Sequence, residues 1–517
     1  MRPGFWLCLI AGALGSQVFL WCSSLPLGVP GEWVWQRVAP EPDAAWNLLG
    51  IAVAVVLYLA FVEVGGRQLS RRGAASSTRV YAWLAGLVAV SFAWLWVVQE
   101  SAPIRNRLGK SAFVLYYPSS SGYFTKARYE DADVPEFLSG YADLMRERDV
   151  LHVGTHPPGL FLIFHGLIRT CEQVPGVAAI LAATQPSSFR EACDVIARNS
   201  LRSVPPRLLL VGDRQVLWLA TLLVMLSASL SVLPLYALMR RTHDAAAAWW
   251  TAALWPSIPA LAVFTPKSDV AYAFVGLLMV LAWLTAVDRR SVLLSTLAGL
   301  IVWCGLMMSL AFLPVILFLV IAGWQSRRIR VSESEDVTVR GASSWMRGVP
   351  PGRCIVGALV GFLLPTLLMG WGCGINLFDV WWLNYQNHAA FYAKYVRTGW
   401  QWRLVNPVEL AFAAGWPVAL LALVAGASTI RRRDWSAIPA AAVLIVWGAL
   451  WLSGKNSGEA ARLWIVFLPW LVWMGGRTLS DLNDAMTRRW FRPSLVVLAI
   501  QFLVGACTVA RVSGFEI

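Results

Sequence analysis

The chain has 517 residues, of which 58% are hydrophobic and only 14% are charged. Soluble globular proteins carry roughly 25% charged residues, so this composition excludes a water-soluble globular enzyme. The formal net charge is +14, but the basic residues lie in short runs between long apolar stretches, which argues against a nucleic-acid-binding face. The composition predicts an all-α polytopic membrane protein.

The apolar stretches are long enough to be membrane-spanning helices. A helix that crosses a hydrocarbon core of ~30 Å needs roughly 20 mostly apolar residues, and this rule predicts about 13 spans. They lie near residues 5–22, 44–64, 80–99, 214–239, 245–264, 269–287, 291–307, 308–323, 354–373, 407–428, 436–453, 462–476 and 493–511. Two alternatives stay open: the first span is an uncleaved helix or a signal peptide, and 291–323 is two short helices or one long helix.

The basic runs set the predicted orientation, because Lys and Arg are enriched in cytoplasmic loops. A cytoplasmic amino terminus puts nearly all of these runs on the cytoplasmic side. The chain then divides into N-terminal spans at 1–99, a long extracytoplasmic region at 100–213, central spans at 214–323, a cytoplasmic basic loop at 324–353, and C-terminal spans at 354–517 with outer loops at 374–406 and 454–462. The apolar segment 157–168 is too short to cross and is predicted as a shallow or re-entrant helix.

The spacing of the cysteine and histidine residues does not resemble a zinc site. The sequence contains no P-loop and no glycine-rich dinucleotide motif. Whether a divalent metal is needed stays open. Cys171 and Cys193 share the long outer region, a compartment that permits a disulfide, so they are either paired or free.

The predicted outer face collects the unusual polar residues, beginning with the stretch 116–133. This stretch combines aromatic residues such as Tyr123 with the carboxylates of Glu130, Asp131 and Asp133. Aromatic faces beside carboxylates suit a sugar ring and its hydroxyl groups. The alternative is a solvated loop that leads into an amphipathic helix at 134–148.

Three of the chain's five histidines map to this face. His152 and His156 lie four residues apart, directly before the rigid pair Pro157-Pro158. His388 lies in an aromatic and basic loop with Lys394. Histidine exchanges protons near neutral pH, which favours a functional site over incidental positions at a helix entry. The loop that holds His388 and Lys394 is either an interfacial belt or a groove for a lipid phosphate and sugar.

Two further outer connections carry cations at the start of a helix. Lys267 and Asp269 lie in a very short connection, where Asp269 either caps the next helix or works with Lys267 at a phosphate. Glu459 and Arg462 lie three residues apart, so they either pair with each other or Arg462 holds a phosphate through its guanidinium.

Three features together carry a resemblance to a known family. They are the long outer region of aromatic and acidic residues, the sequence His156-Pro157-Pro158, and the late loop Gly458-Glu459-Ala460-Ala461-Arg462-Leu463-Trp464. The chain resembles the GT-C superfamily of membrane glycosyltransferases, in particular the bacterial relatives of protein O-mannosyltransferases and aminoarabinose transferases. The resemblance covers roughly residues 80–480 in organisation. Two N-terminal helices lie ahead of the first one expected from the superfamily.

The resemblance implies transfer of a sugar, with inversion, from a polyprenyl-phosphate donor to an acceptor at the outer face of the membrane. It also implies a carboxylate base in the first large outer loop. The usual acidic position is occupied here by 119–121, a run of serines, so the base is expected at Asp131, with Glu130 and Asp133 as the other choices. His152 and His156 are expected to position the acceptor or the donor phosphate.

The same resemblance assigns phosphate binding to Lys267 and Arg462. The expected location is a bacterial cytoplasmic membrane, with the site facing the exterior, and the expected partners are the lipid-linked donor, a glycan, lipid or protein acceptor, and membrane lipids. A transporter or flippase of a lipid-linked saccharide is the alternative function. Apart from the first and last residues of the spans, only Glu63 and Glu409 are charged within the predicted helices, and this scarcity argues against a transport path.

Overall fold

The computed structural model describes residues 3–39, 41, 44–70, 77–130, 133–148, 153–200, 207–333, 350–432, 438–485 and 492–515. Statements about structure below refer to these ranges. The predicted base Asp131 and the predicted site residue His152 lie outside them.

The N-terminal part consists of three long helices and a small hairpin that lies between the first two. The elements are α1 (Pro3–Cys22), β1 (Gly28–Val29), β2 (Trp33–Val34), β3 (Gln36–Arg37), α2 (Ala44–Ser70) and α3 (Ser77–Glu100). Strand β1 pairs antiparallel with β2. We refer to residues 27–37 as the N-terminal hairpin.

Seven shorter helices follow in the region predicted to lie outside the membrane. They are α4 (Lys110–Tyr116), α5 (Tyr123–Thr125), α6 (Val134–Ser139), α7 (Tyr141–Arg146), α8 (Gly159–Gln173), α9 (Pro175–Thr184) and α10 (Ser187–Ser200). Helix α8 begins directly after Pro158 and has one buried face, formed by residues such as Phe161, Phe164 and Ile168. Cys171 and Cys193 are both buried free thiols.

The rest of the chain is helical up to a last short strand. The elements are α11 (Val211–Leu230), α12 (Val232–Met239), α13 (Ala245–Leu254), α14 (Pro259–Val263), α15 (Ser268–Arg289), α16 (Val292–Met308), α17 (Leu313–Glu333), α18 (Gly352–Cys373), α19 (Leu377–Lys394), α20 (Gly399–Ala414), α21 (Trp416–Arg432), α22 (Ile438–Leu452), α23 (Ala460–Leu463), α24 (Leu468–Ala485), α25 (Pro493–Arg511) and β4 (Val512–Ser513).

Within the described ranges, seven helices are long and apolar enough to cross a membrane, or eight if α20 and α21 form one broken span. The seven are Gly4–Cys22, Asn47–Ser70, Ser77–Glu100, Val211–Met239, Ser268–Arg289, Gly352–Cys373 and Pro493–Arg511. The all-α membrane class is therefore confirmed, but the number of 13 spans is not supported. Several predicted spans are short or interrupted: 245–264 is broken after α13, and α20 and α21 meet at an angle of 117°.

One buried side chain explains how two of these interruptions are accommodated. Gln501 donates to the carbonyl of Ala414 at 2.8 Å and to that of Ser257 at 3.2 Å, and its Oε1 accepts from the amide of Val418 at 3.3 Å. Backbone groups freed by a helix break cannot bond to water in the membrane, so they need protein partners. Gln501 satisfies groups at both breaks.

Helices α16 and α18 pack at very short range through glycine residues. A Cβ atom built at Gly361 would lie 1.9 Å from the carbonyl oxygen of Thr296, and one at Gly299 would lie 2.0 Å from that of Ala358. Small residues at the interface allow two membrane helices to approach this closely.

Loops that were predicted to share one face lie together. Among the predicted inner segments, Glu63 binds Arg67 at 2.6 Å and Arg492 at 3.3 Å. Among the predicted outer segments, β3 pairs with β4 and Asn106 donates to the carbonyls of Val509 and Val512. These contacts join segments that were predicted to share a side.

Candidate functional site

A cavity of about 430 Å³ lies among the helix ends that carry the predicted outer loops. Segments from distant parts of the chain form its wall. The lining residues are His156, Asp269, Ser309, Leu310, Ala311, Leu313, Pro314, Leu317, Tyr385, His388, Ala389, Tyr392, Val446, Ala449, Leu450, Ser453, Lys455, Asn456, Leu463, Trp464, Val466 and Phe467.

The cavity has a polar part and an apolar part. His156, Asp269, His388 and Lys455 supply ionisable groups, whereas α17 and α22 supply mainly aliphatic side chains. Two lining residues of α17, Leu313 and Leu317, are 47% and 42% exposed, so the apolar wall continues onto the outer surface of that helix. This lining suits a ligand with a charged head and a hydrocarbon tail.

The short connection before α15 places Lys267 and Asp269 beside the cavity. Lys267 is only 7% exposed, and its ammonium group donates to the carbonyl of Ser120. Burial, together with the nearby Arg462 guanidinium, lowers the pKa of Lys267 to about 7. Asp269 lies in the first turn of α15 and lines the cavity directly. Lys267, which changes its charge near pH 7, and the carboxylate of Asp269 therefore lie next to each other.

A second cation reaches the same place from α23. The Nη2 atom of Arg462 lies 2.8 Å from Oε2 of Glu459, so the predicted pairing of these residues is present. Burial lowers the pKa of the Arg462 guanidinium, but the carboxylates of Glu459 and Asp269 raise it by more, so the net shift of the pKa is upward. Arg462 therefore stays charged while it lies close to both Asp269 and Tyr123.

Glu459 itself has an unusual backbone conformation. Its φ is +61°, and Gly454, Asn456 and Gly458 in the same turn also have positive φ values of 66°, 63° and 83°. A residue with a Cβ atom pays roughly 1–2 kcal/mol for the left-handed region, so such a turn persists only when its surroundings hold it. We refer to residues 454–459 as the αL turn.

Two histidines and a tyrosine complete the polar part. The rings of His156 and His388 have centroids 6.4 Å apart, and the ring of Tyr123 lies 5.5 Å from that of His156. Burial, with His156 and Lys455 nearby, lowers the pKa of His388 to about 4. His388 is therefore neutral near pH 7 and is suited to hydrogen bonding rather than to charge pairing.

The structure brings together most of the residues that the sequence singled out for binding. His156, Asp269 and His388 line the cavity. Four others lie around it and interact with those three or with one another: Tyr123, Lys267, Glu459 and Arg462. Lys394 lies elsewhere, exposed at the end of α19, with Nζ 5.7 Å from the ring centroid of Tyr395.

The described acids of the first outer region lie apart from the cavity lining. Glu130 contacts Arg207 at 2.7 Å and Lys126 at 3.2 Å, and 39% of its side chain is exposed. Asp133 is exposed just before α6. Both side chains therefore occupy solvated positions, whereas Asp269 is the acid among the described residues that lines the cavity.

Sequence reasoning missed the lining residue Ser309, whereas Tyr392 and Lys455 lie in the predicted outer loops but were not chosen as site residues. Ser309 has an extended backbone between α16 and α17, and it is an isolated polar residue in an apolar run. Lys455 lies with Nζ 4.1 Å from the ring centroid of Tyr385. The signal for Ser309 was present, because an interruption at membrane depth is tolerated where it is buried in protein or lines a cavity.

Among the described residues, no cluster of three or more His, Cys, Asp or Glu side chains has the geometry to hold a metal ion. His156, His388 and Asp269 share the cavity wall without forming such a cluster.

Comparisons with known proteins give one structural similarity. No known sequence family matches the chain, and no curated protein does. The fold is similar to the crystal structure of the Archaeoglobus fulgidus oligosaccharyltransferase, with a TM-score of 0.40 and 12% sequence identity. The similarity covers 82% of this chain and 54% of that protein, so the chain spans about half the length of the protein it matches.

Proposed function

We propose that this protein is a membrane glycosyltransferase that moves a sugar from a polyprenyl-phosphate donor to an acceptor at the outer face of a bacterial cytoplasmic membrane. The observation that carries the proposal is the two-part cavity, with Asp269, Lys455 and two histidines at one side and aliphatic helix faces at the other. A lipid-linked sugar phosphate has the same division between a charged head and a hydrocarbon chain.

In this proposal the polar part divides into two tasks. Asp269 accepts the proton of an acceptor hydroxyl group, whose oxygen attacks the anomeric carbon of the donor. The bond from that carbon to the phosphate oxygen breaks, and the lipid phosphate leaves with the negative charge. Lys267 and Arg462 stabilise this charge as it develops. Attack opposite the leaving phosphate inverts the anomeric centre.

The proposal puts the base at Asp269 rather than at Glu130 or Asp133, and Asp131, the first choice from the sequence, lies outside the described residues. Glu130 is engaged by two cations and Asp133 is exposed, so neither has a direct path to the lining described above. Tyr123 and the two histidines at 156 and 388 are proposed to orient the sugar or the acceptor. The acceptor is a glycan, a lipid or a protein, and no cofactor beyond the lipid-linked donor is proposed.

The test uses the purified full chain in lipid nanodiscs, with a panel of radiolabelled polyprenyl-phosphate sugars and host membranes as the acceptor source. Losing a general base typically costs about 10²–10⁴ in rate, so we expect Asp269→Asn to lower transfer by that factor. The double variant Glu130→Gln with Asp133→Asn is the matched control and should keep its activity. Full transfer by Asp269→Asn, or its loss in Asp131→Asn instead, would refute the assignment of the base.

Transport of a lipid-linked saccharide is the second outcome of this test. A flippase moves the labelled donor across the bilayer of proteoliposomes without transferring the sugar. Such movement, with no transfer from any donor of the panel, would replace the transferase proposal.

A further inference from the structure

Glu409 is a buried carboxylate in α20 that the proposed chemistry does not use. It is 0% exposed, and Oε1 accepts a hydrogen bond from Nε1 of Trp35 at 2.9 Å. The backbone amides of Ala460 and Ala461 also face its carboxyl group. A buried carboxylate is costly unless hydrogen-bond donors surround it. Here the N-terminal hairpin supplies one donor to Oε1, the amides of the helix that carries Arg462 lie near the carboxyl group, and Oε2 is buried with no hydrogen-bond partner among the described residues.

The αL turn leads directly into that helix. The amide of Asn456 donates to the hydroxyl of Tyr392, and Nδ2 of Asn406 lies 3.5 Å from the carbonyl of Asn456. The amides of Ala460 and Ala461, which lie near the carboxyl group of Glu409, follow directly after the left-handed residue Glu459. Contacts on both sides of the turn therefore fix where α23 begins, and with it the position of Arg462.

The N-terminal hairpin supplies the other side of this arrangement. Glu32 accepts from the amide of Thr398 at 2.9 Å and from Nε1 of Trp402 at 2.6 Å, which fixes the hairpin to the start of α20. Trp35 also packs edge-on against Phe264, with ring centroids 5.8 Å apart, just before the connection that holds Lys267. The Trp35 side chain therefore contacts both Glu409, near the helix that carries Arg462, and Phe264, just before the connection that holds Lys267.

We propose that Glu409 is a positioning residue and that, with Trp35 of the N-terminal hairpin, it holds the αL turn so that Arg462 points at the phosphate of the ligand. The proposal rests on the proposed function, because that function gives Arg462 its phosphate. It extends the functional part of the chain to the hairpin, which lies between the first two helices. Neither Glu409 nor Trp35 needs to touch the ligand.

The experiment measures binding of farnesyl methyl phosphate, a prenyl phosphodiester, to the full chain in nanodiscs. Arg462→Gln removes the phosphate contact itself. Glu409→Leu removes both acceptor oxygens of Glu409, and Glu409→Gln puts an amide nitrogen near backbone N–H groups. Trp35→Phe removes the indole donor together with part of the ring volume, and the Trp33→Phe control matches that loss of volume. Trp33→Phe is the matched control, because Trp33 lies in the same hairpin and packs on Trp35 and Trp402 through its ring.

We expect Arg462→Gln and Glu409→Leu each to weaken binding by roughly tenfold or more, the value for one charge-assisted hydrogen bond. Glu409→Gln and Trp35→Phe should weaken it less, and Trp33→Phe should bind as the wild type does. The double variant of Arg462→Gln with Glu409→Leu should bind no more weakly than Arg462→Gln alone, because both changes act through the same guanidinium.

The outcomes separate this inference from the proposed function. Unchanged binding by Arg462→Gln would overturn the phosphate role and the inference with it. If Arg462→Gln weakens binding and the Glu409 and Trp35 variants bind normally, the inference is overturned but the proposed function is not. Fully additive losses in the double variant would have the same consequence. If Glu409→Leu does not give a monodisperse protein, Glu409→Gln and Trp35→Phe decide the question.

Discussion

Lys267 should make ligand binding depend on pH in a defined direction. Its pKa is lowered to about 7 in the free protein, because the side chain is buried and Arg462 lies nearby. An anionic phosphate beside the ammonium group raises that pKa back towards the ordinary value of about 10.4. Binding of a phosphate therefore takes up a proton, and affinity must fall as the pH rises above 7.

The size of the effect follows from the fraction of charged Lys267. With a pKa of about 7, half of the molecules are charged at pH 7, and about one in a hundred is charged at pH 9. If the ligand binds only the charged form, its dissociation constant rises about 50-fold over this range, or about 2.3 kcal/mol. Below pH 6 the curve is flat, because Lys267 is already protonated. His388, with a pKa of about 4, stays neutral throughout and does not contribute.

The assay is titration calorimetry of farnesyl methyl phosphate with the full chain in nanodiscs between pH 6 and 9. This phosphodiester keeps one charge over the range, so the ligand adds no titration of its own. Lys267→Arg carries a permanent charge and should bind with little pH dependence, whereas Lys267→Met should bind weakly at every pH. A flat curve for the wild type, or an equally steep one for Lys267→Arg, would refute the reasoning.

Two further predictions concern stability, measured as the thermal midpoint in detergent. Gly361→Leu places a side chain against the backbone of α16 and should destabilise the protein by on the order of 1–3 kcal/mol. Gly372→Leu, in the same helix, meets open space and should have little effect. Equal thermal midpoints for the two variants would contradict the close packing of α16 and α18. Arg128→Gln removes the ion-pair partner of Asp213, whose side chain is 2% exposed and whose Oδ1 lies 3.0 Å from Nε of Arg128. This change should lower the free energy of unfolding by about 3 kcal/mol. Arg146→Gln breaks the exposed ion pair with Asp143 and should lower the free energy of unfolding by less than about 1 kcal/mol. A loss as large as that of Arg128→Gln would show that burial does not determine the cost of breaking an ion pair.

The helical class was predictable because it is encoded locally in the sequence. Apolar length defines a helix, and a basic run marks a loop end. The number of spans was not predictable in this way. Whether α20 and α21 are one straight helix depends on Gln501, which lies far along the chain and satisfies the backbone at the bend. Hydropathy measures the length of an apolar run and does not register such a partner.

The choice of base shows the same limit at the level of a side chain. Local composition favoured the acids at 130–133, since aromatic residues and turn formers surround them. The structure gives Glu130 a partner 77 residues away, Arg207, and leaves it on the surface. Asp269 was predicted either to cap a helix or to work with Lys267 at a phosphate, and in the structure it faces a cavity wall formed from five other parts of the chain. Proximity in sequence identified acids with suitable neighbours, but only tertiary packing determines which of the described acids lines the cavity, and Asp131 lies outside the described residues.

The irregular backbone segments suggest a better sequence signal for such sites. The connection at 264–267, the extended Ser309 and the αL turn all border the cavity or its cationic edge, and each interrupts or ends an apolar run. In a bilayer, non-helical backbone persists only where protein or a wet cavity satisfies its polar groups. Interruptions in several apolar runs at the same depth therefore point to one shared cavity. By this criterion Ser309 is a stronger signal than its polarity alone suggests, because non-helical backbone inside an apolar run needs protein or a cavity to satisfy its polar groups.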